Sequence, residues 1–360
     1  MNRRFLTQLF LIAWVLSGKT ISLAQTVPPS PAAEASFTLP FTSQLKKTVT
    51  LLQTDCAPKP GALASLPLDE QLKWNRHLLA AMKPDSLAVM KPVSFGTGFF
   101  VTLQDPRLNG KAQFLYLVTN RHVVQPGVED GTPCTVLGYH LFTNLKPVDG
   151  KSQVHISEER FGTDAGWVFP EDSSVDLAVM PIVSNTQLSD SQWISTDQFV
   201  TQEQVEKNTV VEGDPVIFAG LFMQYRGATR FEPVVRSGAL AMLPTDLIDT
   251  TLRKPGKIYL AEAHSYGGNS GSPMFVDIRR FSTQSPGGYD YRLLGVVSGF
   301  VHEDSNFTLQ IATDYKGTVV ANSGICVVVP AEEIMKIINS SALQVIRDRD
   351  VKAFADAKKN

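Results

Sequence analysis

The stretch Gly267-Gly268-Asn269-Ser270-Gly271-Ser272-Pro273 decides how this chain is read. It lies between two runs of strand character, residues 257–263 and 274–278. A serine in a turn built of such small residues has nothing to pack against a core. Its neighbours leave the backbone free to approach a ligand. A nucleophile needs that arrangement, an exposed hydroxyl with backbone N–H groups beside it to hold a developing oxyanion. The plainer reading is a glycine-rich loop that serves turn geometry alone. The rest of the chain has to decide between them.

Working outward, short apolar strands separated by turns dominate the chain. They are expected at residues 45–54, 98–103, 114–119, 135–139 and 177–182, then at 215–219, 233–243, 258–263, 274–278, 293–300 and 325–329. So many strands without intervening helices predict an all-β fold rather than βαβ units. Two groups of about six predict two six-stranded antiparallel β-barrels, divided near residues 195–210. Helical periodicity is confined to an insert at 68–82, within a Pro-bounded segment 58–92, and to a C-terminal helix at 331–343. A charged tail, 346–360, is expected to follow.

A base and its orienting acid are present upstream. His122 follows an apolar strand in Val118-Thr119-Asn120-Arg121-His122-Val123, and Asp176 opens one in Asp176-Leu177-Ala178-Val179. Each has a plain structural explanation, a capped strand end or a turn cap, and Asp172 competes for the acid's role. Together they carry more. The order His, Asp, Ser with separations of 54 and 94 residues is one known order of the serine-nucleophile triad. The α/β-hydrolase arrangement requires the opposite order and a G-x-S-x-G elbow, whose last glycine is Ser272 here.

These motifs resemble those of the trypsin-like serine peptidases. Bacterial exported members such as glutamyl endopeptidases and the protease domains of PDZ-bearing periplasmic proteases are the nearest in pattern. Gly96-Thr97-Gly98-Phe99-Phe100-Val101 looks like the strand before the histidine, and Gly268-Asn269-Ser270-Gly271-Ser272-Pro273 like the nucleophile motif. The resemblance implies a chymotrypsin-like peptidase domain over residues 44–345, with barrel one about 44–200 and barrel two about 205–345, and too few residues after it for a PDZ domain. It implies catalytic His122, Asp176 and Ser270, with the N–H groups of Gly268 and Ser270 as oxyanion hole. It places His264 and the segment Ser298, Gly299 and Phe300 on the walls of the substrate pocket. Position 264 carries no acid, so lysine and arginine are disfavoured, and Phe300 favours small or medium apolar residues, with His264 as an acid-reader the alternative. Protein or peptide substrates are implied, and no cofactor or metal.

Composition fits. The 360 residues are 43% hydrophobic and 19% charged, enough for a sizeable core. A net charge of −2 with no long basic run argues against nucleic acid or an acidic membrane surface as partner. Arg3 and Arg4, an apolar run over 5–17 and Ser22-Leu23-Ala24 read as a signal peptide, 1–24, followed by a Pro-rich linker, 25–43. An uncleaved anchor is the alternative; cleavage leaves an extracytoplasmic protein, periplasmic or secreted, with no membrane association. Cys56, Cys134 and Cys326 allow one disulfide in any of three pairings, or none. His140, His155 and His302 lack carboxylate or cysteine neighbours at metal-ligand spacing and read as surface residues. Two other functions stay open on these motifs: a non-catalytic peptide-binding scaffold, and a latent protease whose oxyanion turn forms only on activation.

Overall fold

The computed structural model describes residues 25–26, 40–58, 94–127, 134–146, 156–183, 188–222, 227, 229–279, 290–310 and 314–357. The expected signal segment, the helical insert at 68–82 and His155 lie outside the described residues. The first half is a sheet of β1 (Gln25–Thr26), β2 (Val49–Pro58), β3 (Ser94–Leu103), β4 (Ala112–Thr119), β5 (Cys134–Asn144), β6 (Ile156–Phe161), β7 (Ala178–Pro181) and β8 (Ile194–Ser195). Its order is β1-β4-β3-β2-β5-β6, with β7 on β4 and β8 on β3. The second half is a closed barrel, β10-β13-β16-β15-β14-β9. Its strands are β9 (Pro215–Gly220), β10 (Val234–Met242), β13 (Tyr259–Glu262), β14 (Pro273–Asp277), β15 (Tyr291–Gln310) and β16 (Asp314–Pro330). A small hairpin, β11 (Ile248–Asp249) and β12 (Pro255–Gly256), stands apart from it.

The strands read as continuous apolar runs because both faces are buried. On β4, Phe114, Tyr116 and Val118 face a core shared by the two halves, while Leu115 and Leu117 face the first half's own core. On β14, Phe275 joins the shared core while Met274 and Val276 fill the barrel. The period-2 alternation therefore sorts one side chain inward to its own half and the next outward to the seam. That seam is where a cleft can form between two rigid walls.

Four expectations change. Residues 45–48 end helix α1 (Phe41–Thr48) rather than begin a strand, because Leu45 turns into the shared core and Lys46 and Lys47 close the last turn. The linker expected to run to 43 therefore ends in a helix, and Gln25–Thr26 pairs with β4. The first half carries eight strands in a sheet, including the unanticipated β6 and β8. After the short helices α2 (Arg121–Val124) and α3 (Gln202–Glu206), the C-terminal helix is two, α4 (Ala331–Ile338) and α5 (Ser341–Asp356), so the expected charged tail is largely helical. Arg347, buried on α5, donates to Tyr116 Oη and to the Ile338 carbonyl, and Arg107 meets Asp348, docking that helix on the seam. Of the cysteines, Cys56 and Cys134 join β2 to β5 at a Cα separation of 5.9 Å, and Cys326 is free and buried.

Candidate active site

β4 ends at Thr119, and Asn120 leads into a single helical turn, α2 (Arg121–Val124). Val123 and Val124 sink into the first half's core and so turn His122 outward. Asn120 Nδ2 donates to the Asp176 carbonyl at 2.8 Å, tying this turn to the segment that carries the acid. Asp172, the rival acid, accepts from the Ser174 N–H at 2.8 Å and caps that segment's turn. Asp176 is the one that faces the histidine.

Asp176 is 1% exposed, and three segments converge on its carboxylate, the most distant through Thr251 Oγ1 at 3.4 Å from Oδ2. Oδ2 accepts from His122 Nδ1 at 2.7 Å and from Ser298 Oγ at 2.6 Å, while Oδ1 accepts from the His122 backbone N–H at 3.0 Å. Burial alone would raise its pKa; the charge and hydrogen bonds of His122, together with Ser298, outweigh that and hold it below the usual carboxylate value. With Nδ1 donating to the carboxylate, the other ring nitrogen of His122 is left to act as base.

The nucleophile stretch folds as two successive turns. Asn269 N–H bonds the Tyr266 carbonyl at 2.9 Å and Ser272 N–H bonds the Asn269 carbonyl at 3.0 Å. Gly268 and Gly271, third in each turn, have φ of +97° and +88°. Those values define type II turns, which need glycine at that place. At Gly271 a Cβ would also lie 1.9 Å from the Thr97 carbonyl oxygen. Asn269 locks the corner, accepting from Tyr266 N–H and donating to the Leu221 carbonyl, both at 2.9 Å. Beneath the turns, the buried Thr97 of β3 donates its hydroxyl to the Gly268 carbonyl at 2.7 Å and accepts from Leu221 N–H at 3.0 Å. Its own N–H reaches the Ser270 carbonyl at 2.8 Å.

Ser298 is the extra residue of a β-bulge, since Val297 and Gly299 face the consecutive residues Val328 and Val327. Bulges re-aim the chain beside sites. Here the bulge sends Ser298 Oγ to Asp176 and brings its carbonyl within 3.4 Å of Ser270 Oγ. Because Ser298's one proton goes to Asp176, Thr251, 2.6 Å away, donates to Ser298 Oγ in turn. The cleft, about 320 Å³, is lined by His122, Ser270, Ser298, Gly299 and Phe300 from the expected set, with Thr251, Arg253, Ser265, Tyr266 and His302 added.

His264 is outside that lining. It is exposed, its ring lying against Gly324 and stacked near Tyr266, in the loop beyond β13, whose next residues Ser265 and Tyr266 line the cleft instead. His140 also departs from expectation: its ring nitrogens lie 2.7 Å from Asp55 and 2.7 Å from Glu158, carboxylates brought in by the neighbouring strands β2 and β6. Among the described residues no three His, Cys, Asp or Glu converge as a metal site. Sequence reasoning missed Thr97, Thr251 and Asn120. Thr97 and Asn120 stand inside the quoted motifs, and polar residues among glycines and valines were the available signal. Nothing local marks Thr251.

A closed barrel and a second sheet share one core, with His122 and Asp176 on one half and Ser270 on the other, which is the arrangement that the resemblance to a chymotrypsin-like fold implies. The chain matches no family model and no curated protein. Solved structures similar to it include the HtrA-type protease AlgW with a decapeptide (16% identity, 86% of this chain and 67% of that one, TM-score 0.40). The Rv3671c protease of M. tuberculosis H37Rv in its inactive form (14%, 88% and 98%, TM-score 0.37) and Deg5 (16%, 71% and 81%, TM-score 0.36) are others. At such identities and TM-scores these likenesses carry no argument about the site, which rests on the chain's own geometry.

Proposed function

We propose that the chain is an exported serine endopeptidase working through Ser270, His122 and Asp176. The observation that carries this reading is the double grip of Asp176 on His122, through Nδ1 and the backbone N–H, in a cleft that also holds Ser270. Ser270 Oγ attacks a peptide carbonyl as His122 takes its proton, and the C–N bond breaks as that proton passes to the leaving amine. Water then repeats the sequence on the acyl-enzyme. Asp176 holds the tautomer and stabilises the imidazolium. The N–H groups of Gly268 and Ser270 receive the oxyanion. The type II turn at Tyr266–Asn269 favours this over a latent protease, whose oxyanion turn would be unformed.

Phe300 narrows the cleft and favours a small or medium apolar residue before the scissile bond. Arg253 on its wall disfavours lysine and arginine nearby. Export is supported by the signal-like residues 1–24 and by the Cys56–Cys134 disulfide, a bond that persists in oxidising compartments. No helix among the described residues is long and apolar enough to cross a membrane. The test is labelling with an alkyl fluorophosphonate. Labelling of the wild type and not of Ser270→Ala is expected, and a folded wild type that never labels sinks the catalytic reading and leaves a peptide-binding scaffold.

A further inference from the structure

β15 has 20 residues and β16 has 17, where a strand of about 5–6 is usual. Closing the barrel uses only part of them. β14 pairs with β15 no further than Val296, and the nucleophile loop bonds it last at Val297. β13 pairs with β16 only from Ile325 to Val328. From the His302–Asn322 pair out to Gln310–Asp314 the two strands pair with each other alone among the described residues. A lone two-stranded ribbon is marginal in water, and its open edges are rows of unpaired donors and acceptors that accept a further strand.

One of those edges continues the cleft. Where β14 departs, the vacated side of β15 opens at Ser298, whose carbonyl is 3.4 Å from Ser270 Oγ, and Gly299, Phe300 and His302 follow along the cleft wall. The irregularity beyond Phe300 does not interrupt that edge. Val301 alone on β15 faces Ser323, Gly324 and Ile325 on β16, so the extra residues bulge on the far strand. There Ser323 Oγ bonds the Val301 carbonyl at 2.7 Å and Gly324 takes a φ of +82°.

We propose that the β15–β16 ribbon is an extended substrate edge, on which a polypeptide in extended form adds as a third strand antiparallel to β15 from Ser298 toward Gln310. Antiparallel pairing directs the peptide's N-terminal side out along the ribbon, so the protein holds about ten residues preceding the bond it cuts, spanning roughly 33 Å. Recognition along the ribbon is through main chain and selects unfolded or extended segments over particular side chains. This inference rests on the serine reading for the place where the edge begins, and the occupant follows from the edge's continuity with that cleft.

The experiment measures fluorescence anisotropy of fluorescein-labelled peptides of alternating valine and serine, four, seven and ten residues long, binding to full-length Ser270→Ala. A second protein replaces residues 303–321 by Asn-Gly, closing the ribbon beyond His302 and Asn322. Affinity is expected to rise about tenfold from four to ten residues. The rise is expected to vanish when alternate peptide amides are N-methylated and in the shortened protein, which with Ser270 intact still labels with fluorophosphonate. Affinity that is flat with length, or a rise that survives in the shortened protein, overturns the proposal. A wild-type dimer that the shortening dissolves, together with flat peptide affinity, overturns it in favour of ribbon pairing between two copies. Length-dependent binding without fluorophosphonate labelling of the wild type upholds the edge and removes the protease reading.

Discussion

The two sides of the cleft are held by different means. On the first half, His122 and Asp176 are fixed by side chains, with donors from His122 and Ser298 converging on one buried carboxylate. On the barrel side, Ser270 is fixed by backbone, two type II turns resting on Thr97. The first arrangement sets charge and tautomer; the second sets position. Damage to the first should therefore alter how the protein responds to pH, and damage to the second how tightly it holds a transition state.

The charge side breaks hardest. Asp176→Asn should lower turnover by about four orders of magnitude, since an amide holds the wrong imidazole tautomer. The same variant tests stability. The folded-state pKa of Asp176 is lowered, so its contribution is present above the unfolded value of about 4 and is lost as pH falls through the folded value. Acid unfolding followed by circular dichroism should lose that part of its pH slope in the variant. An unchanged slope would mean that Asp176 is not held as described.

The position side should give smaller losses and no new pH dependence. Gly268→Ala strains a residue at φ +97° and should cost about 10²–10³ in turnover by misplacing an oxyanion donor. Thr97→Val keeps shape but strands the Gly268 carbonyl and the Leu221 N–H, and should cost about 1–3 kcal/mol of stability by denaturant titration. Turnover should fall in that variant while the shape of its pH–rate profile stays the same. A shifted profile would erase the distinction between the two sides.

Thr251→Val lies between them, because Thr251 touches Asp176 closely through Ser298 and directly only at 3.4 Å. Loss of its donor should reduce turnover by up to about tenfold and move the acid limb of stability to higher pH. Farthest from the cleft, burial pushes the pKa of Asp350 up, and its Oδ2 has no hydrogen-bond partner. A raised carboxyl favours folding when protonated and loses that advantage as pH rises through its folded value. Asp350→Asn should thus gain up to about 1 kcal/mol at neutral pH, with activity unchanged.

The gathering of His122, Asp176 and Ser270 at one cleft was legible because each is a polar group set against an apolar strand or in a turn of small residues. The central strands were legible because two-sided burial makes a run such as Phe114 to Val118 apolar throughout. What stayed hidden depends on chain brought from afar. Thr251 reaches Ser298 across 47 positions, and Asp55 reaches His140 across 85. His264 misled because counting back from Ser270 gives distance along the chain but not which residues of the loop after β13 turn to the cleft, here Ser265 and Tyr266. α1 was hidden by its own apolar content, since Leu45 suits a strand equally well.

The Cys56–Cys134 bond spans 78 positions and encloses the Pro-bounded insert together with His122. A single cut anywhere between those cysteines, including one the protein makes on its own copies, leaves both fragments covalently attached. For a cut between His122 and Cys134, the histidine-bearing piece then cannot diffuse from the acid that orients it. Nicked molecules would run as two bands on a gel only after reduction, so the bond turns a break in the chain into a change of connectivity that leaves the mass intact.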